Sequence, residues 1–188
     1  ALPGIGPKTA QRMAFQLLGE QHRQQGKKLA DALSHAIEHV ALCETCRCYT
    51  ESTRCELCVN PKRRQDQLCV VESPADIIAI EDTHSFQGLY FVLHGHLSPL
   101  DGIGPHDIGV PLLIHQIQAQ GIKELIIATN PTMEGKATAH YIVSHADTSQ
   151  VYCTQLAHGI PLGGELEYLD GGTLAHALQT RTTITTNT

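Results

Sequence analysis

Four of the chain's seven cysteines, Cys43, Cys46, Cys55 and Cys58, fall in the pattern C-x2-C-x8-C-x2-C. Each C-x-x-C pair presents two sulfurs on one tight turn, and eight intervening residues let the pairs face each other. Four thiolates around one Zn2+ make a closed tetrahedral centre, structural because no ligand position stays open for water. The short spacer predicts a compact knuckle rather than a long hairpin. Cys48 lies among the four and is an alternative to Cys46, but it breaks the paired spacing. A redox C-x-x-C of thioredoxin type is the competing chemistry. It is disfavoured because no strand is expected ahead of Cys43 and because the second pair would have no role.

A second set of residues is acidic. Glu72 follows the expected strand Leu68–Val71, and Thr129-Asn130-Pro131-Thr132 follows the expected strand Glu124–Ala128. In parallel α/β sheets chemistry gathers at the C-terminal ends of strands. A carboxylate after one strand and Asp-x-Asp after another would hold Mg2+ for phosphoryl transfer. Here the second position reads Asn130-Pro131-Thr132. Glu72, with Glu134 as the other acidic candidate, leaves too little charge to hold catalytic Mg2+ well. The expectation is a fold built for metal-assisted chemistry on nucleic acid that has lost its catalysis; a weak or atypical metal site is the alternative.

The opening Leu2-Pro3-Gly4-Ile5-Gly6-Pro7-Lys8-Thr9-Ala10-Gln11-Arg12 suits an anion. Gly4 and Gly6 permit a tight turn and close approach of backbone to ligand. Pro7 fits the first helical position. A helix N-terminus then offers N–H groups and a positive dipole end, supplemented by Lys8 and Arg12 four residues apart. A helix-hairpin-helix grips DNA phosphates in this way, with little sequence preference. A plain helix cap with solvated cations is the simpler reading. A degraded nucleotide P-loop is rejected, because Pro7 separates Gly6 from Lys8 and no strand is expected to precede the turn.

These residues need elements to position them. Ala10, Met13, Ala14, Leu17 and Leu18 recur at helical spacing and predict a buried stripe. A second helix is expected over residues 28–41, with Leu29, Leu33, Ile37 and Val40 packed. His35 and His39 lie on its polar side, as metal ligands or, more simply, as solvated histidines among the chain's twelve. Arg47, Arg54, Lys62, Arg63 and Arg64 surround the cysteines, where cations would offset the −2 charge of Zn2+ with four thiolates or contact DNA. From Leu68 onward, strands are expected at 68–71, 89–93, 124–128 and 150–154. Helices are expected at 74–82, 111–120 and 134–145. Ser73, Pro74 and Asp76 read as a capped helix start. Such alternation implies a mainly parallel sheet with helices on both faces.

The net charge of −6 conceals an asymmetry. Residues 1–67 carry ten Lys/Arg against seven Asp/Glu, or +3, and residues 68–188 carry three against twelve, or −9. A basic front and an acidic back suit a polyanion-binding end joined to a portion with another task. No apolar run approaches the ~18–20 residues that span a membrane. No secretory leader is expected, and an odd cysteine number with four in a metal pattern fits a reducing cytosol. The Ala-Leu-Pro-Gly opening suggests a trimmed N-terminus, with the first hairpin helix lying before Ala1.

Six strings in this order resemble the RecR family of bacterial recombination mediators. They are residues 2–8, the four-cysteine module with Asn60-Pro61, Cys69–Asp76, Gly95–Pro105, Ala128–Thr132 and Gly163–Glu167. The resemblance implies a multidomain α/β protein with four parts. These are a helix-hairpin-helix region (1–42), a four-cysteine zinc finger (43–65), a Toprim domain (66–158) and a C-terminal oligomerisation segment (159–188) with a Walker-B-like stretch near Leu166–Asp170. It further implies a non-enzymatic, cytoplasmic, nucleoid-associated protein forming a dimer or a ring-shaped tetramer around single- or double-stranded DNA. RecO and RecF would be its partners in loading RecA. Family DNA contacts fall on Lys8 and Arg12 beside Gly4 and Gly6, and the partner surface on Glu72 and Glu134. An active Toprim-type nuclease or primase is the alternative. The Thr-rich tail Arg181–Thr188 departs from the family's basic ending.

Overall fold

The computed structural model describes residues 3–146, 149–157, 159–161 and 163–180. The Arg181–Thr188 tail and Leu2 of the opening motif lie outside the described residues. The chain divides into two compact units after Arg63.

In the first unit, α1 (Pro7–Leu18) starts where expected. Gly4 has φ +76°, Gly6 is the extended N-cap, Pro7 is the first helical residue, and the Ala10 N–H donates to the Gly6 carbonyl at 3.0 Å. The second helix, α2, spans Arg23–His39 rather than 28–41. Gly26, in the first turns of α2, lies at the contact with α1. A Cβ there would sit 3.2 Å from the Leu17 carbonyl oxygen, so glycine lets the helices approach. It ends earlier because Val40 turns extended and enters β1 (Ala41–Leu42).

The buried stripes expected of α1 and α2 are not buried in the chain. Neither helix contains a buried residue. Met13, Leu18, Leu29, Leu33 and Ile37 are exposed, as are Ala10 and Ala14, while Leu17 and Val40 are half-covered. Periodicity correctly marked the apolar faces, but two paired helices offer too little surface to cover them.

β1 pairs antiparallel with β2 (Tyr49–Thr50), and α3 (Glu56–Val59) follows. The expectation that no strand precedes Cys43 is therefore corrected by β1. Two residues of strand carry no alternating pattern to read.

The second unit is a four-stranded parallel sheet in the order β4-β3-β5-β6, with strands at Gln67–Val71 (β3), Leu89–Val92 (β4), Glu124–Ala128 (β5) and Tyr152–Gln155 (β6). The crossovers are α4 (Pro74–Asp82), α5 (Val110–Gln120) and α6 (Met133–His145), and α7 (Gly171–Gln179) follows the sheet. Turn chemistry sets these limits. The Asp76 carboxylate accepts from the Ser73 N–H at 2.7 Å, and Gly109 and Gly121, both left-handed, bracket α5. Leu68, Val70, Phe91, Leu125 and Ile127 join Leu113, Ile117 and Ile142 of the helices in one buried cluster. Continuous apolar strands of this kind belong to a parallel sheet covered on both faces. The Leu166–Tyr168 stretch, within the Walker-B-like region, is a 3-10 turn, and Asp170 caps α7 by accepting from the Thr173 N–H at 2.9 Å.

Candidate metal centre and nucleic-acid interface

The cysteine centre forms from two short devices. Cys43 and Cys46 occupy a turn after β1, closed by the Arg47 N–H on the Cys43 carbonyl at 2.9 Å, with Arg47 at φ +62°. Cys55 caps α3, and Cys58 lies within it. The Cys55 N–H donates to Cys43 Sγ at 3.3 Å, which locks one pair onto the other.

All four sulfurs are buried and lie within 4.8 Å of one another, with Cys46 Sγ and Cys55 Sγ 3.4 Å apart. Tetrahedral coordination with bonds of about 2.3 Å needs sulfurs roughly 3.8 Å apart. The cage therefore fits a metal ion. Cys48 stays outside it and serves through its backbone, its N–H facing Cys46 Sγ at 3.4 Å. Among the described residues this is the only group of three or more His, Cys, Asp or Glu placed to hold a metal.

The sulfurs differ in acidity. Burial pushes the Cys43 thiol up, but N–H groups of Cys46, Cys55 and Thr45 outweigh it and draw it down to about 6. The hydrogen bond with Cys58, then burial, raises Cys46, and burial lifts Cys55 to about 11. Amide donors gathered on one sulfur favour its anionic form, which suits a site for a cation. Elsewhere burial pushes Cys69 up to about 12, which makes it inert. The Arg54 guanidinium donates to the Cys58 carbonyl at 2.8 Å, so this cation braces the module.

Lys8 and Arg12 are exposed on the first two turns of α1, just past the Gly4–Gly6 turn. The first-turn N–H groups there have no side-chain cap. Such a helix start presents unpaired donors and a positive dipole end to solvent.

Glu72 directly follows β3, and the register that pairs Val71 with Ala128 sets it beside Thr129 and Asn130. Its carboxylate is buried and clamped. Asn130 donates its backbone N–H to Oε1 at 2.8 Å and its side-chain Nδ2 to Oε2 at 2.7 Å, while His96 Nδ1 lies 3.4 Å from Oε2. α6 starts against this clamp, with Thr132 capping it by accepting from the Gly135 N–H at 3.0 Å. A Cβ on Gly135 would overlap the Asn130 carbonyl oxygen and come within 3.0 Å of Glu72 Oε1. Glu134, one residue earlier, is exposed in the first turn of α6. Sequence reasoning weighed Asn130 as a missing ligand and overlooked it as a donor, and it did not single out His96 or Gly135. An amide beside a buried carboxylate was the available signal.

A parallel sheet whose strand-end carboxylate is held by an asparagine, together with a paired-helix unit bearing a four-cysteine cage, defines a multidomain α/β protein of the Toprim class with a metal-binding module. Family models bear this out: a Toprim domain matches residues 66–157, the helix-hairpin-helix of RecR residues 1–37, and the RecR C-terminal region residues 159–182. The chain is 60% identical over 186 residues to Recombination protein RecR of Coxiella burnetii, spanning 99% of this chain and 92% of that one. It belongs to the RecR family of recombination proteins. No described helix is long and apolar enough to cross a membrane.

Proposed function

We propose that the chain is a DNA-binding recombination mediator that makes and breaks no covalent bonds. Lys8 and Arg12, with the backbone at Gly4 and Gly6, grip phosphates of single- and double-stranded DNA. The observation that carries this reading is an uncapped helix start behind a glycine turn, flanked by two exposed cations. Contacts of this type supply affinity and little sequence preference.

The four-cysteine cage holds one structural Zn2+, the ion that four thiolates at this spacing suit best. Work is divided among residues 1–42 for DNA, 43–65 as a zinc staple, 66–158 as a Toprim docking domain and 159–188 as an assembly segment. Glu72 and Glu134 mark the acidic surface that meets RecO or RecF, the helpers in loading RecA within the bacterial cytoplasm and nucleoid. The uncovered faces of α1 and α2 support self-association toward a ring-shaped tetramer. Repeated weak contacts around such a ring raise effective concentration on the strand.

The Toprim match keeps a metal-dependent nuclease or primase in view as the second reading. Both oxygens of Glu72 accept hydrogen bonds from Asn130, which leaves that carboxylate poorly disposed toward Mg2+. Incubation with labelled DNA and Mg2+ or Mn2+ tests the choice. Retention of intact DNA is expected; cleavage or primer synthesis that disappears in Glu72→Gln contradicts the proposal.

A further inference from the structure

His35 and His39 are the only histidines in the chain spaced four apart, and they lie near the end of α2, shortly before the cysteine cage. Their rings stack with centroids 4.3 Å apart and planes 13° from parallel. His39 Nδ1 lies 3.0 Å from the His35 carbonyl oxygen. A carbonyl only accepts, so Nδ1 carries the proton and Nε2 keeps its lone pair. His35 Nδ1 is turned toward the Glu51 carboxylate at 3.7 Å, an electrostatic contact just beyond hydrogen-bond distance. Metal-binding histidines characteristically turn their second nitrogen toward a carbonyl or carboxylate in this manner. With Nδ1 engaged on His39 and turned toward Glu51 on His35, Nε2 is the nitrogen each ring has to offer, from one helix face at the spacing helical zinc ligands use.

We propose that His35 and His39 form a second metal site, separate from the four-cysteine cage. It takes one first-row divalent ion such as Zn2+ or Ni2+, with water completing the coordination. Imidazole suits these ions, and two neutral nitrogens make a weaker site than four thiolates, so it fills after the cage. Glu51 belongs to the loop between the two cysteine pairs and acts as a positioning residue through His35. Ion binding thereby links the end of α2 to the module loop.

Calorimetric titration of the zinc-loaded full chain with Zn2+, and separately with Ni2+, tests the site. A second ion per chain is expected, with affinity reduced at least tenfold in the His35→Ala/His39→Ala double variant. Glu51→Gln is expected to weaken it on the order of tenfold, as loss of an outer-shell partner does. Retention of one zinc in each variant reports an intact cage. Independently of any variant, substoichiometric Ni2+ broadens the imidazole NMR signals of His35 and His39 before those of the other histidines. Absence of a second ion, uptake unchanged in the double variant, or earlier broadening elsewhere overturns the proposal.

Discussion

Two cysteines three positions apart in sequence can be a redox couple, a metal clip or neither, and substitution separates these. Cys43→Ser removes one of four ligands and one sulfur that receives the Cys55 amide. Structural zinc contributes roughly 10–16 kcal/mol to small metal modules, so loss of the ion and insolubility are expected. Cys48→Ser leaves the cage complete, and metal analysis should return one ion per chain. Soluble, oligomeric, metal-free Cys43→Ser protein would contradict this account. At the sheet end, Asn130→Ala strips a carboxylate only 7% exposed of its side-chain donor, the Nδ2 on Oε2, while the backbone N–H on Oε1 stays. Loss of that amide donor from a buried carboxylate oxygen costs about 1–3 kcal/mol, readable as a lower urea midpoint. Asn130→Asp adds a like charge to the loss and should fall further at neutral pH.

At the scale of elements, the clamp doubles as the anchor for α6. Gly135→Ala drives a methyl into the Asn130 carbonyl and toward Glu72. Overpacking of this kind costs about 1–3 kcal/mol, and thermal unfolding should show it, whereas Lys136→Ala one residue on should be nearly neutral. The strands and helices of the second unit were legible because apolar runs there are punctuated by Ser-Pro, Gly109 and Gly121. The cage was legible because ligand spacing alone defines it. The clamp was only half legible: Asn130 is visible in sequence, but its place beside Glu72 follows from the parallel register of β3 with β5. The uncovered faces of α1 and α2 could not be foreseen, since a helical period identifies an apolar side without saying what lies against it.

For the whole molecule, that exposed side has a consequence. Ile37 is 83% exposed, an unusual setting for such a side chain on an apolar helical face. If a second copy covers it, Leu33→Glu/Ile37→Glu places two charges in the contact and lowers the mass seen by light scattering. An unchanged assembly would locate self-association elsewhere. In the proposed ring, DNA affinity should fall in parallel, because such an assembly multiplies weak contacts that one chain cannot sustain.

The most direct measurement is the salt dependence of DNA affinity for the full-length protein and for Lys8→Ala/Arg12→Ala. Phosphate contacts release counterions, and each one lost should reduce the slope of log affinity against log salt by about 0.9 on duplex DNA. The account predicts tight binding at low ionic strength, and in the double variant a collapse of affinity with a shallower slope. Equal affinities and equal slopes for the two proteins would contradict it.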